Sequence, residues 1–159
     1  MWRRRDFRML FRCSRSDRRL LVEAMLWLGI ARAAVLMIPF RWSKKLFALQ
    51  SARDDEDSSQ PAHELARRIA WALRIASSRS PWLSTCLAQA LAGTGMLRRR
   101  RIPSTLALGV SGTARSSGLK AHSWLSCGDL ILTGADCHRE YNVIAKFTCA
   151  GWTASAKDV

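Results

Sequence analysis

Leu20 to Phe40 is the most apolar stretch of the chain, and whether it crosses a membrane or enters a core decides what the other residues fold around. Two ionisable residues, Glu23 and Arg32, break it into runs shorter than the ~20 apolar residues a span needs. Each charge at mid-bilayer costs on the order of 2.5–3.5 kcal/mol. Nine helical steps of ~100° put Glu23 and Arg32 on opposite faces, so neither face is expected to be clean. A pair of helices packed into a core and ending at Pro39 fits better than a span. No signal peptide is expected, because the residues before Leu20 are basic and Glu23 interrupts the apolar run early.

With 159 residues the chain has room for one core but not two. Its formal charge is +14, from 26 Lys and Arg against 12 Asp and Glu. Much of the charge lies in an N-terminal run (Arg3, Arg4, Arg5, Arg8, Arg12, Arg15, Arg18, Arg19) and in Arg98 to Arg101, which reads as a basic loop. No RNA-recognition, zinc-finger or homeodomain pattern accompanies it, so no specific nucleic acid is expected. The two basic runs are candidates for docking a peptide or partner, and the first also for peripheral contact with an anionic membrane. Five cysteines (Cys13, Cys86, Cys127, Cys137, Cys149) show no CxxC pair. A disulfide framework is not expected, and a reducing cytoplasm fits best. Cys127, Cys137 and His138 lie close in sequence but lack paired ligand spacing, so neither metal nor cofactor is expected.

The pattern divides into a basic tail (1–15), a helical part (16–50), an acidic polar linker (51–61), a helix-plus-sheet part (62–147) and a C-terminal tail (148–159). A helix from about Ala62 to Ser77 buries Leu65, Ile69, Ala72, Leu73 and Ala76 at 3–4 spacing, with His63 at its polar start on the surface. Pro81, Ser84 and Thr85 announce a further helix, with Gly93 and Gly95 as its C-cap. Strands are expected at Ser104 to Val110 and at roughly 121–126, 130–134 and 141–147. Residues 111–120 form a Gly/Ser-rich loop between the first two. Helices first and antiparallel strands after give an α+β domain.

Cys86 falls in the first turn of the second of these helices. There the unpaired N–H groups and the positive end of the macrodipole favour a thiolate over a thiol. Thirty-six positions later, Ala121-His122-Ser123-Trp124-Leu125 reads as a strand. A cysteine on a helix N-terminus and a histidine on a strand form the framework of a nucleophilic site. The plainer reading is a small buried cysteine and a structural histidine.

Three blocks, in order and spacing, carry a resemblance. They are Asp17 to Ala24 running on to Ile38-Pro39-Phe40, then Pro81-Trp82-Leu83-Ser84-Thr85-Cys86-Leu87 with Leu106 to Val110, then Ala121 to Leu125 with Gly128 and Tyr141 to Phe147. From Ser16 to Phe147 the chain resembles the lasso-peptide B2 proteins, leader peptidases of the transglutaminase-like, papain-related cysteine protease group. The resemblance implies a peptidase core that cuts the leader from a ribosomally made precursor. An ATP-dependent cyclase resembling asparagine synthetase then closes the macrolactam on the freed amine. The chain looks like the split form, which needs a separate leader-recognition protein.

The resemblance makes Cys86 the nucleophile and His122 the base. The family's carboxylate commonly lies twelve residues after the histidine, and here that position is Gly134. Asp136 and Asp129 are the nearby acids. If the β-turn centres near Gly128, His122 faces position 134 and Asp136 is one diagonal step away, so Asp136 is preferred. Two further readings stand beside the peptidase. One is a non-catalytic peptide-, nucleic-acid- or membrane-binding protein, and the other an acyl transferase using the same thioester chemistry.

Overall fold

The structure is a computed structural model that describes residues 14–37, 50–51, 60–82, 84–111, 120–135 and 140–149, with the backbone alone at 50–51 and 60–62. Helix α1 spans Arg15–Met37. Ser14 caps it: the Asp17 amide donates to Ser14 Oγ at 3.1 Å, and Oγ donates to the Asp17 carboxylate at 2.8 Å. Arg68 holds the other oxygen of Asp17 at 2.6 Å, and this hydrogen bond, with that of Ser14, keeps the carboxyl below its usual range. The inner face of α1 buries Leu20, Leu21, Ala24, Leu28, Ala31 and Ala34. The expected pair of helices is thus a single helix as far as Met37, and 38–49 lie outside the described residues.

Helix α2 (Gln60–Arg79) begins one residue before Pro61, whose missing N–H costs nothing in a first turn. It buries Ala66, Ile69, Ala72, Leu73 and Ala76. His63 is half-buried and not the surface residue expected, and its Nε2 is shielded from solvent without a partner among the described residues.

Helix α3 (Cys86–Arg99) is the centre of the helical layer and is buried continuously from Ala90 to Leu97. Gly93 and Gly95 lie inside it and are not its cap. A Cβ on Gly95 would come within 2.5 Å of the Trp27 ring of α1, and one on Gly93 within 2.5 Å of Leu125. The glycines let α3 approach α1 on one side and the sheet on the other. The helix actually ends in a Schellman arrangement. Ile102 N–H donates to the Leu97 carbonyl at 3.1 Å and Arg101 N–H to the Arg98 carbonyl at 2.9 Å. Arg101 occupies the left-handed position at φ 59°, where glycine is usual. Arg98 and Arg99 therefore form the last helical turn, and only Arg100 and Arg101 leave it.

Arg100 is also not a solvated loop residue. Its guanidinium forks onto Glu23 of α1 at 2.9 and 2.7 Å and donates to the Met96 carbonyl at 2.9 Å. The fork holds the Glu23 carboxyl below its usual range, against the opposing effect of burial. With Glu23 turned inward, the outer side of α1 carries an apolar stripe from Val22 to Met37, and the half-buried Arg32 lies to one side of it.

Strands β1 (Gln50–Ser51), β2 (Ser104–Ser111), β3 (Lys120–Cys127), β4 (Leu130–Thr133) and β5 (Asn142–Cys149) form one antiparallel sheet in the order β1-β5-β2-β3-β4. The three described helices precede strands β2 to β5, and Leu106, Leu125, Cys127, Leu132 and Cys149 join the helices in one core. The α+β architecture holds. The Gly/Ser-rich loop expected at 111–120 falls mostly at 112–119, outside the described residues.

Candidate active site

Cys86 is the first residue of α3, and Thr85 is its N-cap, in extended conformation at φ −68° and ψ 158°. Thr85 Oγ1 accepts from the Ala88 amide at 3.3 Å, and the Thr85 carbonyl accepts from the Gln89 amide at 3.0 Å. Gln89, which sequence reasoning did not single out, turns its side-chain amide back to donate to the Ser84 carbonyl at 3.1 Å. Ser80 Oγ bonds the Trp82 carbonyl at 2.8 Å, and the Trp82 ring lies over Gly29 of α1. Cys86 is thus fixed by its helix cap and by an approach segment anchored on the neighbouring helix. Its sulfur is half-buried and free of any disulfide. Cys127 and Cys149 are likewise in no disulfide but are buried, and burial pushes the Cys149 thiol up although the charge of Arg98 draws it partly back. Only Cys86 among these three combines access with a helix N-terminus.

His122 sits on β3 opposite Gly109 of β2. Its ring lies 5.0 Å from that of Tyr141 and 6.1 Å from that of Trp124, centroid to centroid. Nε2 is 3.1 Å from the Gly134 carbonyl oxygen. A carbonyl only accepts, so Nε2 carries the proton, and in the neutral ring Nδ1 is left with the free lone pair.

Gly134 has φ +74°, and a Cβ there would lie 2.7 Å from the Ser123 carbonyl oxygen and 3.0 Å from His122 Nε2. The position at which the family commonly has its carboxylate therefore has no room for one, and its main-chain oxygen faces the imidazole instead. Sequence reasoning found position 134 but missed this role, because a backbone acceptor leaves no side-chain signature.

The two elements pack directly through Gly93 and Leu125. Among the described residues, however, no hydrogen bond joins Cys86 to His122. Successive strand residues alternate faces, so His122 and Trp124 project from the side of β3 opposite Leu125 and its contact with α3. The structure thus supplies the elements, the cap and the imidazole's partner, and leaves the thiol–imidazole contact unmade.

The register of the β3–β4 hairpin differs from the expected one. Cys127 pairs with Leu130 and Ser126 with Ile131, then a bulge brings Leu125 opposite Thr133. Gly128 and Asp129 form the turn, and Asp129 is exposed there, away from the strand end that carries His122. Asp136, Cys137 and His138 lie outside the described residues.

No curated protein and no solved structure matches the chain. The family model of the transglutaminase-like superfamily matches residues 34–146, a span that takes in Cys86, His122 and the sheet. Members of that superfamily are commonly cysteine peptidases. By a match over more than two thirds of its length, this chain belongs to the transglutaminase-like superfamily.

Proposed function

We propose that this protein is a cysteine peptidase that removes the leader from a ribosomally made lasso-peptide precursor before macrolactam closure. The observation that carries the reading is a half-buried Cys86 at a capped helix N-terminus, and the reading requires the His122 imidazole, whose Nε2 is engaged by the Gly134 carbonyl, to come within reach of it when substrate binds. In this scheme Cys86 gives its proton to His122 and its sulfur attacks the scissile carbonyl carbon. The oxyanion that forms takes hydrogen bonds from the Cys86 N–H and its neighbours at the helix start. Collapse breaks the C–N bond, His122 returns the proton to the leaving amine, and the leader is held as a thioester. Water, deprotonated by His122, then releases the leader as a carboxylic acid. Asp136 is the third member carried from the sequence, acting beside the Gly134 carbonyl.

The partners in this reading are the precursor leader, a separate leader-recognition protein and an ATP-dependent asparagine-synthetase-like cyclase. A reducing cytoplasm suits a free thiol nucleophile. The lasso-peptide assignment rests on the sequence blocks and not on the fold, which transglutaminase-like proteins of other functions share.

The test incubates the full chain with precursor and recognition protein and follows leader release by mass spectrometry. Cys86→Ala and Cys86→Ser are expected to abolish release without changing the melting temperature, and iodoacetamide to label Cys86 ahead of Cys127 and Cys149. Normal cleavage by Cys86→Ala would falsify the peptidase reading and favour a non-catalytic peptide-binding relative.

A further inference from the structure

Helix α1 has a second apolar face that the fold leaves open. Val22, Leu26, Ile30 and Met37 are 61, 63, 48 and 81 % exposed, and helical steps of ~100° place all four within one narrow stripe. At ~1.5 Å per residue the stripe runs about 22 Å. Single exposed leucines need no explanation, but a continuous file on one helix does. Beside it, an apolar groove of about 250 Å³ opens between α1 and α2, lined by Met25, Leu26 and Ile75 and edged by Arg79.

The same stripe continues at its N-terminal end into charge. Arg19 and Arg15 fall on its line one and two turns before Val22, and Arg18 flanks it, all three exposed. Five more arginines precede them in the sequence, on a chain of net charge +14. From this we infer that α1 docks on an anionic lipid surface, lying in the interfacial plane with the stripe in the acyl boundary and the arginines among the headgroups.

Charge and geometry choose this occupant over others. A second copy would set one +14 chain against another with the arginines of both at the contact. The helix passes the length and hydropathy test for a membrane span, but its inner face is built into the core and Glu23 is forked onto Arg100. It therefore has only one side to offer lipid, which means lying on the membrane and not crossing it. The inference is independent of the peptidase reading.

The test is co-flotation of the full chain with vesicles of phosphatidylcholine alone and of phosphatidylcholine mixed with phosphatidylglycerol. The expected result is binding to the mixed vesicles that weakens with salt. Leu26→Glu with Ile30→Glu should abolish it, with circular dichroism and melting temperature unchanged, because both side chains are already in solvent. Replacing Arg15, Arg18 and Arg19 by Gln should lower partitioning on the order of a hundredfold at low salt, at about fivefold per arginine. Four results would overturn the proposal. They are no flotation of the wild type, equal flotation with both vesicle types, full binding by the double Glu variant, and a wild-type dimer in solution that Leu26→Glu dissociates.

Discussion

Glu23 and Arg100 are 77 positions apart and join the first helix to the end of the third, so cutting their fork tests how the helical layer is held. The two hydrogen bonds, at 2.9 and 2.7 Å, use both carboxylate oxygens, and the side chains are 17 and 23 % exposed. Removing one member of a fully buried pair costs about 3–5 kcal/mol, because the other charge is stranded. Here water reaches about a fifth of each side chain, and Arg99 lies 4.0 Å from Glu23, so a smaller loss of about 2–3 kcal/mol is expected for Glu23→Gln or Arg100→Met. Changing both residues together, as Glu23→Leu with Arg100→Met, removes the stranded charge and should recover most of that loss. The pH dependence has a definite sign. Because the carboxyl is held below its usual value, its contribution is fully present above the unfolded-state pKa of ~4.3 and is lost as pH falls through the lower folded value. Urea unfolding at steps from neutral pH into the acid range reads both effects. A Glu23→Gln change below about 0.5 kcal/mol at neutral pH, or an acid slope identical to the wild type, would show that the fork contributes no more than a surface pair. The fork also limits any docking test of Arg98 to Arg101, since neutralising Arg100 perturbs the fold. With Arg99 also 4.0 Å from Glu23, Arg101 is the cleaner reporter on docking.

The left-handed Arg101 at the end of α3 carries a steric cost that glycine avoids, so Arg101→Gly should raise stability by about 1 kcal/mol in the same urea assay, and a loss would show that the side chain contributes more than its backbone costs. A division of labour around His122, in which the Gly134 carbonyl orients the ring and Asp136 supplies charge, predicts a moderate loss of turnover on Asp136→Asn, argued in full below.

The parts of the fold that local patterns specify were legible. Ser84-Thr85 ahead of an apolar run marks a helix start, and Thr85 is the cap with Cys86 following it. The strands fall within one or two residues of their alternating runs, and the two-residue turn sits at Gly128-Asp129. What failed was tertiary. A glycine pair late in a helix reads locally as a cap, whereas Gly93 and Gly95 are glycine because Leu125 and Trp27 come so close. The arginine run reads as solvated because nothing nearby in sequence announces Glu23 as the partner of Arg100. The outer face of α1 was judged flawed for the same reason, since a carboxylate that turns inward no longer interrupts the stripe.

The hairpin register bears most directly on catalysis. A turn centred on Gly128 puts His122 opposite position 134. The ladder instead begins with Cys127 opposite Leu130, and the extra residue at Leu132 carries it to Leu125 opposite Thr133. β4 leaves the ladder after Thr133, and Gly134 bends at φ +74° with its carbonyl accepting the Nε2–H hydrogen bond. If Asp136 is the third member, the duty left to it with that hydrogen bond made is to stabilise the imidazolium by charge. A unit charge acting over ~7 Å at an effective dielectric near 20 is worth about 2 kcal/mol before screening, on the order of tenfold in rate after it, and that is the size of effect this role would have. Asp136→Asn should thus lower kcat about tenfold, shift the acid limb of the pH–rate profile down and leave KM near its wild-type value. A loss of about 10⁴, the size seen when a triad carboxylate is made neutral, would mean that Asp136 itself holds the ring. An unchanged rate and pH profile would mean that Gly134 suffices.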